Sequence, residues 1–546
     1  MADAKVPFGI DLGTTHSVIA HVDDSGQSVV LKSEIGEDTT PSVVYFEGPG
    51  QVLVGTTAKN SAILAPHLVA QLVKRDMGKP GIKYPFHGRE YTPDEISSLI
   101  LRELVRAVAK NEQLTVQDVV ITVPAYFGVA EREATSRAGD IAGLNVLEVL
   151  DEPVAAALHY QALYPEARPR TLLVCDLGGG TYDTTVIRVR DKDIRAVCTH
   201  GDPALGGADW DVRVRDHLLA AFHEQHPRLD PTADEMFMQD LAITAEQLKK
   251  RLSEAVTGRT DLRFAGSVAR VELTRDHLSE LTSDLLDRVV RVTEHTLELA
   301  RGKGIDRFDD VILVGGMSRV PAVGARVAEL VGQQPRLHEP ELAVAKGAAL
   351  FAMIRRAKTD RAAGMTARHS AERVADRTGM TTEQVMAMAD TTVTTVVPRA
   401  FGVLSLDAND PLALTDPAAA RKIVVHLLSA NTPLPADTGP YTFQTPMANQ
   451  RMAGIEIWEQ AGIVESPELA HNKRIGGGIL RGLPPRRPPG APVEITFFLS
   501  DTGTLTVHAT EPNSGAELRF DLDIGGMAQV DVAAARRDMA AHKVSG

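Results

Sequence analysis

Hydrophobic positions along this chain fall into two regimes. Up to about residue 353, short continuous apolar runs (Val6 to Ile10, Val119 to Val123, Leu172 to Val174, Val311 to Val314) alternate with longer amphipathic stretches such as Glu95 to Val108. Unbroken runs of this length read as strands buried on both faces, and the longer periodic stretches as helices. Their alternation predicts an α/β architecture. From Val396 to about Ile524 the pattern changes to short β-rich runs (Ile423 to Leu428, Ile455 to Trp458, Val493 to Leu499, Leu505 to Ala509, Leu518 to Leu522) separated by Pro, Gly, Asn and Asp. That spacing predicts an all-β sandwich, with Asp501-Thr502-Gly503 turning one hairpin. Between the regimes lies a connector, 355–395, with a predicted helix near Thr382 to Asp390 and a Thr391-Thr392-Val393-Thr394-Thr395 run that suits an edge strand. The expected division is 1–354, 355–395, 396–525 and a short tail, 526–546, able to form one helix.

Bulk properties narrow the picture. The net charge is −14, and the basic residues are scattered rather than gathered into a stripe, which argues against a nucleic-acid partner. No stretch approaches the ~20 apolar residues needed to cross a bilayer, and MADAKVPFGID has no secretory pattern, so no membrane association and a cytoplasmic location are expected. The two cysteines, Cys175 and Cys198, fall in strand-like runs and read as reduced, buried thiols.

Chemistry enters at three glycine-rich turns that follow apolar runs. Asp11-Leu12-Gly13-Thr14-Thr15 and Asp176-Leu177-Gly178-Gly179-Gly180-Thr181 each place an aspartate before small and hydroxylated residues. Glycine lets backbone N–H groups approach phosphate oxygens, threonine hydroxyls add donors, and Asp11 and Asp176 can hold a hydrated Mg²⁺ between them. Val314-Gly315-Gly316-Met317-Ser318-Arg319 suits the nucleoside end of the same ligand. No P-loop and no G-x-G-x-x-G turn occurs, so the pair of aspartate turns points to a ligand held between two related halves.

The ordered series GIDLGTTHSV, TTPSVV, VPAYF, DEPVAAAL, DLGGGTYD, GDPALGGADWD and VILVGGMSRVP resembles the heat-shock protein 70 family of the actin-like ATPase superfamily. The likeness is strong over roughly residues 6 to 353 and weaker beyond. It implies a bilobal actin-like ATPase domain of two ribonuclease-H-like halves, followed by a β-sandwich peptide-binding domain. It further implies ATP or ADP with Mg²⁺ as cofactors and catalytic roles for Lys74, Glu152, Asp176, Thr181 and Asp183. Nucleotide contacts would come from Gly13, Thr14, Thr15, Gly178, Gly179, Gly180, Thr181, Gly206, Gly207, Glu246, Lys249, Lys250, Ser253, Gly315, Gly316, Arg319 and Glu341. Asp151 is also positioned to cap the helix that begins beside Pro153.

Several positions depart from the family pattern. Lys250 stands where an arginine usually stacks on adenine, Met317 replaces a serine, and Glu341 an aspartate. Pro124 and Arg132 match the family's coupling residues, but Glu148 reverses the charge of an arginine that contacts J-domain co-chaperones. The connector replaces a leucine-rich linker with threonines and valine, which bury less apolar surface and predict weaker interdomain coupling. By position Val403, Leu406, Ile455 and Ile457 are candidates for a peptide pocket, although inward alternation alone accounts for them as sandwich core. The tail is too short for the family's helical lid.

The resemblance therefore implies an ATP-dependent chaperone for exposed apolar segments. Its partners would be unfolded or extended polypeptide, a nucleotide exchange factor and a non-standard J-domain co-chaperone. A different class, a nucleotide-gated scaffold for one dedicated partner with little turnover, is the alternative that the altered connector raises.

Overall fold

The apolar runs become the central strands of two mixed sheets in a computed structural model, which describes residues 6–166, 168–362, 364–462, 464–500, 503–522 and 532–546. In the first sheet, Phe8–Asp11 pairs in parallel with Asp118–Val123, which pairs in parallel with Asn145–Asp151. On its other side Phe8–Asp11 pairs antiparallel with His16–Val22, which pairs with Ser28–Leu31. The second sheet repeats this arrangement. Arg170–Leu177 lies parallel to Asp310–Val314 and antiparallel to Tyr182–Arg190, which continues to Asp193–Asp202. Both aspartate turns are thus hairpin connections at the ends of equivalent central strands.

Two helices, Glu152–Leu163 and Ala343–Ala362, occupy the space between the sheets. Their small residues join strand residues from both sheets in one core: Ala155, Ala156 and Ala348 with Val120, Leu172 and Val174. Gly347 sits where the helices cross, and a Cβ there would come within 1.7 Å of the Ala155 carbonyl oxygen. Only glycine permits that approach.

The outer face of the first sheet packs against helices Pro93–Glu112 and Val129–Ile141. Pro93–Glu112 starts with a reciprocal capping box between Thr92 and Glu95 and a proline in the first turn, which together satisfy orphan N–H groups and preset φ. Helices Gly207–Gln225 and Glu235–Glu254 form a separate core with the hairpin Thr257–Phe264 and Ser267–Thr274.

The connector contains more helix than its sequence suggested. Beside Thr382–Ala389, close to the expected position, a second helix covers Ala367–Thr378. Both pack on strand His16–Val22 through Ala371, Val374, Met380 and Val385. The threonine run forms strand Thr392–Thr394, which pairs in parallel with Asp193–Asp202 at the edge of the second sheet. Lys358 Nζ donates to the Thr391 carbonyl at 2.9 Å, so the inserted segment holds the strand in place.

The β-rich region consists of two packed sheets. One contains Lys422–Leu428, Phe401–Leu406, Met452–Gln460 and Asn472–Arg481; the other contains Ala436–Asp437, Tyr441–Gln444, Pro492–Leu499, Leu505–Glu511 and Ala516–Leu522. Val403, Ile455 and Ile457 lie in the core between them and Leu406 is half-buried, so the first three fill the sandwich rather than line an open pocket. Asp501 and Thr502 of the expected hairpin turn, and 526–531 of the tail, lie outside the described residues.

Beyond these, the tail forms helix Val532–Ala540 and strand Lys543–Ser545. The strand pairs in parallel with Gln51–Val54, and Ala535, Met539 and Val544 enter the first core. Arg102 donates to the His542 carbonyl at 2.9 Å, and His542 Nδ1–H donates to the Asp538 carbonyl at 3.0 Å. That leaves Nε2 to accept from the Tyr91 hydroxyl at 3.1 Å.

Candidate functional site

A cavity of about 540 Å³ opens between the two sheets and is lined by residues from all three glycine turns. Asp11, Gly13, Thr14 and Thr15 form one wall and Asp176, Gly178, Gly179 and Thr181 the other. Gly315 needs its φ of +80°, because a Cβ there would lie 2.3 Å from the Leu177 carbonyl oxygen and 2.5 Å from Asp176 Oδ1. The third turn therefore closes directly over the second.

At the inner end, Lys74 Nζ donates to Glu152 Oε1 at 2.6 Å, with both side chains buried. Lys74 is delivered by a single 3₁₀ turn, Val73–Asp76, preceded by Leu72 in the left-handed conformation (φ 59°). A left-handed leucine is strained by about 1–3 kcal/mol and is held only where its surroundings demand it. Arg75 anchors the same turn across the cavity: its Nη2 reaches the Gly180 carbonyl at 2.8 Å and Asp209 Oδ2 at 2.6 Å.

The electrostatics of this end are dominated by carboxylates. Burial first, then the nearby Glu152 charge, pushes Asp11 up to about 7, against the pull of Lys74 and a hydrogen bond from Thr122. Burial followed by repulsion from Glu152, Asp11 and Asp183 raises Asp176 well above its ordinary range. Lys74 alone does not offset these acids. Such uncompensated oxygen ligands suit a hard divalent cation. No group of three His, Cys, Asp or Glu among the described residues is arranged to ligate a metal directly.

At the outer end of the cavity, Arg319 makes two bonds to Glu341, at 2.5 and 2.6 Å, which fix its guanidinium plane beside Gly315 and Gly316. Lys249 is buried and donates to the Gly207 carbonyl at 2.9 Å and to Asp211 at 2.7 Å. Lys250 is exposed and paired with Glu246 at 2.7 Å. Ser253 also faces the cavity.

Of the residues singled out from sequence, Asp183, Gly180 and Gly206 do not line the cavity. Asp183 lies behind it, where Oδ1 accepts the Tyr126 N–H at 3.2 Å and Oδ2 is buried without a hydrogen-bond partner among the described residues. Gly180 and Gly206 pack against each other beneath the wall, with a Cβ on Gly206 falling 2.4 Å from Gly180 N. Asp151 starts helix Glu152–Leu163 but makes no side-chain cap; its carboxylate pairs instead with Arg132. Sequence reasoning missed Arg75, Asp211, His16 and Lys59. His16 lines the cavity, and burial with the Lys250 and Lys59 charges lowers it to about 4, so it is a neutral imidazole. Lys59 reaches Glu246 at 2.5 Å across the mouth. Arg75 adjoins Lys74 and His16 adjoins Thr15, so adjacency was the one signal available for either.

The β-rich region docks beside this site. Arg399 is buried between Glu131, at 3.1 Å, and Glu459, at 3.9 Å, with its guanidinium 4.9 Å above the Tyr126 ring. Tyr126 donates to the Gly462 carbonyl at 2.8 Å, and Thr199 N–H donates to Asn431 Oδ1 at 2.7 Å. Glu148 is paired with Arg355, the first residue of the connector, so its reversed charge is answered within the chain. Among the described residues no helix is long and apolar enough to cross a membrane.

Comparison with known proteins agrees with this arrangement. The family model for Hsp70 protein matches residues 7–80 and 65–366. The chaperone protein DnaK of Halobacterium salinarum is 33% identical over 551 residues, covering 99% of this chain and 79% of its own length. The chaperone protein DnaK of Deinococcus proteolyticus is 34% identical and that of Deinococcus deserti 35%, each covering 94% of this chain and 78% of the relative. With matches of that extent, joined to a cavity built from paired aspartate turns, the chain belongs to the Hsp70 chaperone family.

Proposed function

We propose that this chain is an ATP-hydrolysing chaperone in which nucleotide turnover between two ribonuclease-H-like halves, within 1–354, gates binding of extended apolar polypeptide by the β sandwich of 396–525. The buried Lys74–Glu152 pair, set against Asp11 and Asp176 inside the cavity, carries this reading. The backbone N–H groups and hydroxyls of Gly13 to Thr15 and Gly178 to Thr181 cradle the phosphates. Asp11 and Asp176 are the residues that would hold Mg²⁺, which supplies charge neutralisation to the phosphate oxygens. Lys74 offsets the negative charge that develops on the transferring phosphoryl group, and Glu152 both orients Lys74 and accepts a hydrogen bond from the attacking water. The Thr181 hydroxyl is a further donor at the terminal phosphate. Asp183, out of the cavity, acts through its bond to Tyr126 rather than on the ligand. Arg319 presents a planar surface to the base, whereas the flexible ammonium of Lys250 contributes charge without stacking.

Coupling runs through Tyr126, Arg399 and the docked strand Thr392–Thr394, with the inserted helices adding support where the leucines of the family linker are missing. Since Arg355 already satisfies Glu148, an ordinary J-domain co-chaperone, together with any nucleotide exchange factor, meets an altered surface, and weak stimulation by a standard J-protein is expected.

Single-turnover ATP hydrolysis by the full chain and by Lys74→Ala, each with and without an extended apolar peptide, tests the assignment. Loss of at least about a hundredfold in Lys74→Ala, with peptide stimulation of the native chain, is the expected result. Tight ATP binding without Lys74-dependent turnover would overturn the catalytic roles.

A further inference from the structure

Basic residues that are scattered in the sequence meet at one end of the β sandwich. Two loops, 445–451 and 482–491, lie side by side at the ends of strands Met452–Gln460 and Asn472–Arg481: Gly490 N–H donates to the Thr445 carbonyl at 2.8 Å, Asn449 N–H to the Arg487 carbonyl at 2.9 Å, and Leu483 N–H to the Arg451 carbonyl at 3.3 Å. Met452 and Arg481 are register partners at the base of the pair. Asn449 and Arg486 both adopt left-handed backbone, with φ of 57° and 60°, so the loops turn tightly and in concert. Arg451, Arg481, Arg486 and Arg487 are brought together in this way.

Neither loop contains an acidic residue, although the chain as a whole carries a charge of −14. None of the four arginines forms an ion pair with a carboxylate among the described residues, while arginines elsewhere on the sandwich, such as Arg421 and Arg474, are paired. Three large apolar side chains stand exposed on the same end: Met447 at 57%, Met452 at 48% and Ile479 at 47%. Exposed methionines adapt to varied apolar surfaces, and unpaired guanidinium groups bind carboxylates in bidentate geometry. The loops carry no aromatic residue on which a nucleic-acid base could stack.

We infer that this end of the sandwich docks polypeptide segments in which apolar residues are flanked by aspartate or glutamate. The inference rests on the peptide-binding function proposed above and adds a charge preference to it. The apolar side chains bury surface against the segment, and the arginines select its flanks and speed the encounter.

Fluorescence anisotropy of two short labelled peptides, sharing one apolar centre but flanked by acidic or by basic residues, tests it on the full chain. The acid-flanked peptide is expected to bind about tenfold more tightly, with an affinity that falls as salt rises. In a variant combining Arg451→Glu, Arg481→Glu, Arg486→Glu and Arg487→Glu the order of the two peptides should reverse, at an unchanged thermal unfolding midpoint. Equal or tighter binding of the basic-flanked peptide to the native chain overturns the charge preference and leaves peptide binding standing. If neither peptide binds, the peptide-binding function itself fails and this inference falls with it. Competition by a single-stranded oligonucleotide as effective as the acidic peptide would make the surface a general anion site and overturn the assignment to polypeptide.

Discussion

Arg399 is the cation on which two acids from different parts of the chain converge, and Glu459 is almost wholly buried beside it. Removing one partner of a buried pair leaves the other charge without compensation, at about 3–5 kcal/mol. Arg399→Ala should therefore lower the thermal unfolding midpoint and abolish peptide stimulation of ATP turnover while sparing basal turnover; retained stimulation would show that coupling runs elsewhere. Acid should weaken the fold through histidines. His159 is lowered to about 4 by burial, against the pull of Glu339, and His200 to about 4 by burial and then His295. Because the folded values lie below the ordinary 6.5, the unfolded chain takes up protons first. The contribution of these two groups should be full above about pH 6.5 and decline toward pH 4, by up to about 1.4 kcal/mol per group per pH unit, while Asp11 and Asp176, raised by burial, act in the opposite sense over that range. The difference in unfolding midpoint between the native chain and His159→Gln with His200→Gln should therefore change across that range, the variant losing less stability as pH falls; a constant difference would show that these histidines do not carry the effect. Residues of the turns were legible because Asp, Gly and Thr there serve local backbone chemistry. Arg75, Lys59 and Arg399 were not, since each acts on a partner far away in sequence and nothing in its neighbours records that distance.

At the scale of elements, the crossing of Glu152–Leu163 over Ala343–Ala362 sets the position of Glu152, because Gly347 allows the two backbones to touch. Gly347→Val should force the helices apart, costing about 1–3 kcal/mol or more in stability and displacing Glu152 from Lys74. A drop in single-turnover rate beyond that explained by unfolded protein would separate the two effects; an unchanged rate in folded variant would show that the crossing does not position the acid. Strands of the two sheets were legible from their continuous apolar runs, since burial on both faces leaves little room for polar residues. Helix Ala367–Thr378 was missed because its composition is polar and the apolar face it buries is small, made of Ala371, Val374 and Ala375. Strand Asn472–Arg481 was missed for its three consecutive glycines, which local preference reads as a loop. There Gly477 lies so close to the Ile455 carbonyl, 2.4 Å from a built Cβ, that the neighbouring strand requires glycine.

For the whole molecule, the cleft is latched from outside by Lys59 and Glu246, which join helices Thr56–Ser61 and Glu235–Glu254. Lys59→Ala should speed nucleotide release about tenfold, equivalent to ~1.4 kcal/mol, with little change in the chemical step. Stopped-flow release of a fluorescent nucleotide gives the number, and an unchanged rate would mean that the latch does not gate the cleft. The order of α/β and all-β regimes was legible because periodicity is a local property. How the regimes dock was not, because four threonines and a valine next to an insert say nothing about which sheet edge they complete. The same holds for strand Lys543–Ser545, whose partner, Gln51–Val54, lies near the opposite end of the chain. During synthesis the two are separated by the entire growing polypeptide. The small sheet of Val44–Gly48, Gln51–Val54 and Val69–Ala70 must then wait, with one row of N–H and C=O groups of Gln51–Val54 unpaired, until residues 543–545 arrive to cover them. A helper of other proteins' folding thus leaves the ribosome with an open edge of its own, vulnerable to strand pairing between neighbouring nascent chains for as long as translation lasts.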